Sequence, residues 1–112
     1  MLYATERKLA ARAKALGESA DGAALPELAG LTRSESPLAR RLAASAIGKL
    51  AGLADAGAAV AALLPLLADT HPQVRQYAAK ALGAYGTAAE PALRPLRDLL
   101  RNPEETVYLK RC

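Results

Sequence analysis

Residues 69–86 read DTHPQVRQYAAKALGAYG, and residues 34–48 read SESPLARRLAASAIG. When the sequence is shifted by 35 positions, these two segments align on their prolines, one arginine, several alanines and a glycine. The aligned pairs are Pro37/Pro72, Arg40/Arg75, Ala43/Ala78, Ala44/Ala79, Ala46/Ala81, Ile47/Leu82 and Gly48/Gly83. Self-similarity at such a period is typical of solenoids, in which each unit packs only against its neighbours. The sequence therefore predicts a tandem array of one small unit.

The composition predicts that this unit is helical. Of the 112 residues, 52% are hydrophobic, yet the only aromatic residues are four tyrosines. The core must therefore consist mostly of alanine and leucine. Alanine is the best helix former, and its small side chain allows helices to approach closely. Strand-like alternation of β-branched and polar residues is absent. We expect an all-α chain that forms one domain over residues 1–112.

Each unit is predicted to be two helices joined by a glycine-containing turn. We expect the first helices at 3–16, 37–51 and 72–85, followed by turns at Gly17, Gly52 and Gly86, and the second helices at 24–33, 58–68 and 89–101. Gly48 and Gly83 are expected to release the chain from the first helices of the second and third repeats. A fourth unit opens at Pro103 and stops inside its first helix. The predicted repeats are 2–34, 35–70, 71–102 and a partial unit at 103–112. The open end of this partial unit suggests either a longer array or self-association through the uncovered face.

The second helices share one apolar pattern. Counted back from Ser34, Asp69 and Asn102, the positions nine, six, three and two residues earlier are apolar, except at Thr32. This spacing of three and four predicts one buried stripe. The three terminating residues have side chains that accept hydrogen bonds from backbone N–H groups, so we expect the same turn chemistry after each second helix.

Charge and cysteine content indicate the compartment and the kinds of partner to expect for this protein. The formal net charge is +4, which would mildly assist binding to an acidic protein or to nucleic acid. Cys112 has no partner within the chain, so a reducing compartment is expected. The apolar run at 56–68 is shorter than the roughly 20 residues that cross a bilayer, and the N-terminus is too charged for a signal peptide. These features predict a cytoplasmic protein without a membrane partner.

The pattern resembles the HEAT-repeat family, in the bacterial form also called the PBS-lyase-like repeat. The residues that carry the resemblance are Leu63, Leu64, Leu67, Asp69, Pro72, Val74, Arg75, Ala78, Ala79, Ala81, Leu82 and Gly83. The resemblance implies an α-α superhelix of about three hairpins and the start of a fourth. It also implies that the second helices line a concave, partner-binding face. By position it suggests an inter-repeat ladder involving Asp69 and Arg75, with Arg40 at the position equivalent to Arg75.

Three arginines are the candidate partner-binding residues. Arg94, Arg97 and Arg101 lie at i, i+3 and i+7 of the predicted helix at 89–101, so they share one helix face. Guanidinium groups bind carboxylates and phosphates through paired hydrogen bonds. A solvated face that maintains solubility is the alternative reading. Electrostatic nucleic-acid binding by the same arginines is the main competing function, although aromatic residues for base stacking are not interleaved with them.

The sequence offers no set of catalytic or metal-binding residues. His71 is the only histidine and has no companion ligands at metal-site spacing, and no phosphate loop or nucleophile–base pair is present. Helical-repeat relatives include bilin lyases and DNA glycosylases, but only family analogy favours those activities. We therefore expect a non-catalytic scaffold that needs no cofactor or metal. Tyr77 and Tyr85 align with Leu42 and Leu50 and are expected to fill the core.

Overall fold

The computed structural model describes residues 2–86, with side chains from Thr5 onward. This part is helical and contains no strand. The helices are α1 (Leu2–Glu18), α2 (Leu25–Leu31), α3 (Pro37–Lys49), α4 (Ala56–Leu63) and α5 (Pro72–Ala84), with short 3-10 segments at Gly22–Ala24 and Leu64–Ala68. Two hairpins and the first helix of a third are thus present, which confirms the predicted all-α repeat. The predicted helix at 89–101, Asn102, the partial unit at 103–112 and Cys112 lie outside the described residues.

The helix starts follow from local sequence. The Ser36 hydroxyl accepts a hydrogen bond from the Ala39 N–H at 3.1 Å and caps α3. The Asp55 carboxylate accepts one from the Ala58 N–H at 2.8 Å and caps α4. Both bonds satisfy backbone donors that have no partner within the helix. Proline occupies an early position in α3 and α5, where its missing N–H costs nothing.

The second helices bury the apolar stripe that their spacing predicts. The buried residues include Leu25, Leu28, Val60, Leu63, Leu66 and Leu67. Thr32, the one polar residue in the pattern, is only 5% exposed. Its hydroxyl donates a hydrogen bond to the Ala29 carbonyl at 2.6 Å. This bond removes the penalty for burying an unsatisfied hydroxyl, so the position accepts threonine without breaking the stripe.

The first helices α1, α3 and α5 pack side by side through glycine–alanine contacts. A Cβ atom built on Gly17 would lie 2.7 Å from the Ala46 Cβ, and one built on Gly48 would lie 3.1 Å from the Ala81 Cα. Ala46 and Ala81 occupy equivalent repeat positions. The same close contact therefore joins successive repeats. At Gly17 an added methyl group would overlap Ala46. At Gly48 it would be in tight contact with Ala81 and would require a small shift of the neighbouring helix.

The structure confirms the predicted turns at Gly52 and Gly86 but corrects the role predicted for the earlier glycines. Gly17, Gly48 and Gly83 lie within helices and do not terminate them. The glycines with left-handed backbone come after the helices, at Gly52 (φ 88°) and Gly86 (φ 59°). Near the end of a helix, a packing glycine and a terminating glycine look alike in sequence, and only the neighbouring repeat distinguishes them.

The predicted second helix at 58–68 is also corrected. It divides into α4 and a 3-10 segment that begins at Leu64. Pro65 follows directly and has no N–H for an α-helical hydrogen bond, which accounts for the tighter turn.

Replacing Gly17 with alanine is expected to destabilise the protein by about 1–3 kcal/mol, because the added methyl overlaps Ala46. The matched control is Gly30→Ala, where the structure shows no atom within 4 Å of the added Cβ. That change should stabilise α2 by about 0.5–1 kcal/mol through helix propensity alone. Urea unfolding of the two variants measures both effects. Equal responses would contradict the role of Gly17 in the repeat contact.

Candidate functional site

Asp69 lies at the centre of a polar junction between the second and third repeats. Its carboxylate accepts two hydrogen bonds from Arg40, from Nε at 2.8 Å and from Nη2 at 3.2 Å. The His71 backbone N–H donates a third at 2.9 Å. Arg75 donates from Nη1 to the backbone carbonyl of Asp69. The structure thus joins Asp69, Arg40 and Arg75, the three residues expected in the inter-repeat ladder.

The pairing within this junction differs from the expected one. The carboxylate of Asp69 accepts from Arg40, which lies near the start of the same repeat (35–70), whereas Arg75 of the next repeat donates to the Asp69 backbone carbonyl. Arg40 makes the equivalent carbonyl contact six residues back, with Nη1 donating to the Ser34 carbonyl at 2.8 Å. Each arginine therefore fixes the turn before its own helix. Arg40 additionally reaches the turn that links the second repeat to the third, where position 69 offers a carboxylate.

The turn chemistry expected at Ser34 and Asp69 is present. The Ser34 hydroxyl accepts from the Ser36 N–H at 3.1 Å, and the Asp69 carboxylate accepts from the N–H two residues on in the same way. Arg40 Nη2 also lies 3.3 Å from His71 Nδ1. Because arginine has only donors, this contact requires Nδ1 to accept. His71 is thus a component of the turn.

The environment of Asp69 favours its charged form. Burial opposes the charge and would raise the pKa of the carboxyl group. The hydrogen bonds from Arg40 and from the His71 N–H, together with the positive charge of Arg40, outweigh burial and hold the pKa below its usual value. The side chains of Asp69 and Arg40 are only 8% and 15% exposed, so this ion pair is far better shielded from solvent than a surface pair.

A second ion pair joins the two helices of the first hairpin. Arg12 on α1 donates to Glu27 on α2 through Nε at 2.6 Å and Nη2 at 2.8 Å. The hydrogen bond from Arg12 lowers the pKa of Glu27. Both side chains are about half exposed, and such solvated pairs contribute little to stability. The polar residue at position 12 is therefore accommodated on the solvent-exposed side of α1.

The two tyrosines of α5 and its C-terminal turn have different roles. Tyr85 is buried, as expected, and its hydroxyl donates to the Ile47 carbonyl at 2.6 Å. This bond joins the C-terminal end of α3 to the turn that follows α5, and burial raises the pKa of the phenol. Tyr77 is only partly buried, and the Arg41 guanidinium lies 5.6 Å from its ring centre. Sequence alignment with leucines predicted the burial but not these polar contacts.

In the described part of the chain, the groove between α3 and α5 is lined by basic side chains and by no acidic one. We call it the α3–α5 groove; it is lined by Arg41, Ser45, Lys49, Gln73, Tyr77 and Lys80, with Gly48 and Ala81 at its floor. It contains a cleft of about 360 Å³ at the helix N-termini and one of about 260 Å³ further along. Neither helix contains an acidic residue.

The second-helix surface of repeat two has the opposite character. Between Asp55 and Asp69 the chain contains no charged residue. The exposed residues of this stretch are Gly57, Ala58, Ala61, Pro65 and Ala68. Leu53, in the turn before it, is 56% exposed and is the one large hydrophobic side chain that is exposed among the described residues. This surface is smooth and weakly polar.

Some of the predicted site residues lie outside the described part of the chain, and other predictions can be checked within it. Arg94, Arg97 and Arg101 lie outside the described residues, so their role as partner contacts stays a prediction, as does the concave curvature of the second-helix layer. Within residues 2–86, no three His, Cys, Asp or Glu side chains come together as metal ligands. None of the helices described is long and apolar enough to span a bilayer.

The repeat geometry agrees with the family comparison. Residues 50–110, more than half of the chain, match the family of HEAT repeats. The chain belongs to the HEAT-repeat family. Neither a curated protein nor a solved structure matches this HEAT-repeat chain significantly. HEAT repeats generally mediate protein–protein interaction, and the matched segment includes Asp69, Arg75 and the second-helix surface of repeat two.

Proposed function

We propose that this HEAT-repeat chain is a non-catalytic interaction module that binds another protein along its second-helix layer. The observation that carries the proposal is the contrast between the two layers. The first helices carry the cations of the α3–α5 groove, whereas the second helix of repeat two exposes only small, uncharged residues. Protein interfaces are depleted of charge at their centre and polar at their rim.

The three arginines of the next repeat supply the charged part of this proposed surface. Arg94, Arg97 and Arg101 lie in the predicted second helix at 89–101, which follows the uncharged stretch by one repeat. A partner with an apolar patch beside an acidic one would match such a surface, because charge complementarity fixes the register of a complex.

The shape of the described residues supports a macromolecular partner over a small substrate. Small-molecule sites are usually concave, largely apolar pockets with a few convergent polar groups. In residues 2–86 the clefts lie at the surface between neighbouring helices, and the polar groups converge on the Asp69 junction, where they bond one another. A repeat array instead offers extended surface.

The test is affinity capture from a lysate of the native organism, with the bound proteins identified and then assayed as purified partners. Changing Arg94, Arg97 and Arg101 together to glutamate is expected to abolish capture while the helical signal and melting temperature stay nearly unchanged. The matched control changes Arg7, Lys8 and Lys14 to glutamate, which gives the same change in net charge on exposed residues of α1, in the first-helix layer. Undiminished capture by the first variant would remove the three arginines from the interface.

Nucleic-acid binding is the competing function. The salt dependence of binding distinguishes it from binding to a protein. Contacts with phosphates release counterions, so the logarithm of the affinity falls with the logarithm of salt concentration in proportion to the phosphates contacted. Retention on duplex or single-stranded DNA with such a slope, and no captured protein, would replace the protein-binding proposal.

A further inference from the structure

The cations of α3 and α5 divide into two sets by their contacts. The two helices carry Arg40, Arg41, Lys49, Arg75 and Lys80 and no acid. Arg40 and Arg75 are held by the Asp69 junction. The other three line the α3–α5 groove, and no acidic side chain lines it with them. The Asp69 junction therefore holds two of these five cations, and the other three line the α3–α5 groove.

The groove also has an apolar component. In the cleft of about 260 Å³, Gly48, Ala81 and Ala84 form an apolar surface, Tyr77 forms one wall, and Lys49 and Lys80 stand at the edge. Apolar cavities of about 150 Å³ accept a six-carbon ring, so this cleft has room for one aliphatic side chain. Both lysines are exposed, which lets their ammonium groups reach carboxylates on either side of such an anchor.

We propose that the α3–α5 groove binds an extended acidic peptide segment of another protein, with an aliphatic side chain of that segment between Lys49 and Lys80 and its carboxylates on Arg41 and the two lysines. This site lies on the first-helix layer and uses none of the residues assigned to the second-helix surface. It can therefore fail or succeed independently of the function proposed above.

The dimensions and the aromatic content favour a peptide over a nucleic acid. Thirteen residues of α3 extend about 20 Å at 1.5 Å per residue, which matches about six residues of extended chain at 3.3 Å each. Single-stranded nucleic acids bind on successive aromatic platforms. This groove has one aromatic ring, Tyr77, which the Arg41 guanidinium already approaches at 5.6 Å. Gln73 further holds Arg41 in place by accepting from its Nη1 at 3.3 Å.

The probe is a fluorescein-labelled peptide of about eight residues in which glutamates flank a central leucine, measured by fluorescence anisotropy at physiological salt with the full chain. We expect a dissociation constant of about 10–100 µM. The double variant Lys49→Glu/Lys80→Glu should weaken binding at least about tenfold, because two attractions become repulsions. The control Lys8→Glu/Lys14→Glu carries the same change in net charge on α1, outside the groove, and should change binding by less than about twofold, since exposed charges are screened beyond about 8 Å.

Two further comparisons make the result specific. A peptide with glycine in place of the central leucine should bind several-fold more weakly if the apolar cleft is used. An oligothymidylate of equal charge should bind more weakly than the peptide. The proposal is overturned if the peptide shows no binding up to about 1 mM, if both charge variants weaken it equally, if the glycine peptide binds as well as the leucine peptide, or if the oligonucleotide binds more tightly.

Discussion

Replacing Asp69 with alanine is expected to lower the free energy of unfolding by about 3 kcal/mol, because it leaves Arg40 largely buried without its carboxylate. The change also removes the acceptor of the His71 N–H at the turn. Asp69 lies outside both proposed binding surfaces. Its replacement should therefore weaken binding only by lowering the fraction of the protein that is folded.

The matched control for Asp69 is Asp55→Ala. Asp55 also accepts a backbone hydrogen bond at a helix start, but it is exposed and has no arginine among its hydrogen-bond partners. Loss of such a cap costs about 1 kcal/mol. Urea unfolding of both variants, together with Arg40→Met and the double variant Asp69→Ala/Arg40→Met, gives the coupling energy of the pair. A coupling near zero, or equal losses for Asp69 and Asp55, would show that the junction does not hold the repeats together.

The contribution of Asp69 is also expected to depend on pH. Its folded-state pKa lies below the unfolded value of about 3.9. A lowered pKa means that the stabilisation is fully present above the unfolded pKa and is lost as pH falls through the folded one. The stability difference between the native chain and Asp69→Ala should therefore be constant from pH 7 to about pH 5 and shrink below pH 4. A difference that is unchanged at pH 3 would contradict the assigned charge state.

Replacing Gly22 with alanine is the second change with a large expected effect, a loss of about 3 kcal/mol. A Cβ atom at this position would lie 2.1 Å from the Leu53 carbonyl oxygen and 2.7 Å from its carbonyl carbon. These are backbone atoms, which cannot move aside as a side chain can. The 3-10 segment Gly22–Ala24 would have to separate from the turn of the next repeat, and Leu25 and Leu28 would lose packing with it.

Thermal unfolding of Gly22→Ala should show this loss as a drop of about 12–24 °C in melting temperature, since a loss of 1 kcal/mol shifts a domain of this size by about 4–8 °C. The Gly30→Ala variant is the appropriate reference, because it adds the same methyl group to the adjoining helix without a clash. If Gly22→Ala melted at or above the native temperature, the close approach of the two repeats at this point would be wrong.

Much of this fold could be predicted because its signals are local and recur. The apolar stripe of the second helices needs only a spacing of three and four, and Leu28 and Leu63 are fully buried as that spacing requires. The turn residues Ser34 and Asp69 bond the backbone two residues ahead, which is a property of a few consecutive residues. The buried Thr32 also satisfies its hydroxyl locally, by donating to the Ala29 carbonyl one helix turn earlier.

The sequence by itself therefore determined the repeat, the helical hairpins, the buried leucines and the set of residues at the Asp69 junction. Only the tertiary structure decided that Asp69 bonds Arg40 while Arg75 bonds its carbonyl, that Gly17, Gly22 and Gly48 are packing contacts, and that Lys49 and Lys80 face one groove. The physical reason is that every residue of a repeat has neighbours on two sides. Spacing along the chain identifies which residues face a neighbour, but the direction in which the next repeat packs selects the atom that each one meets.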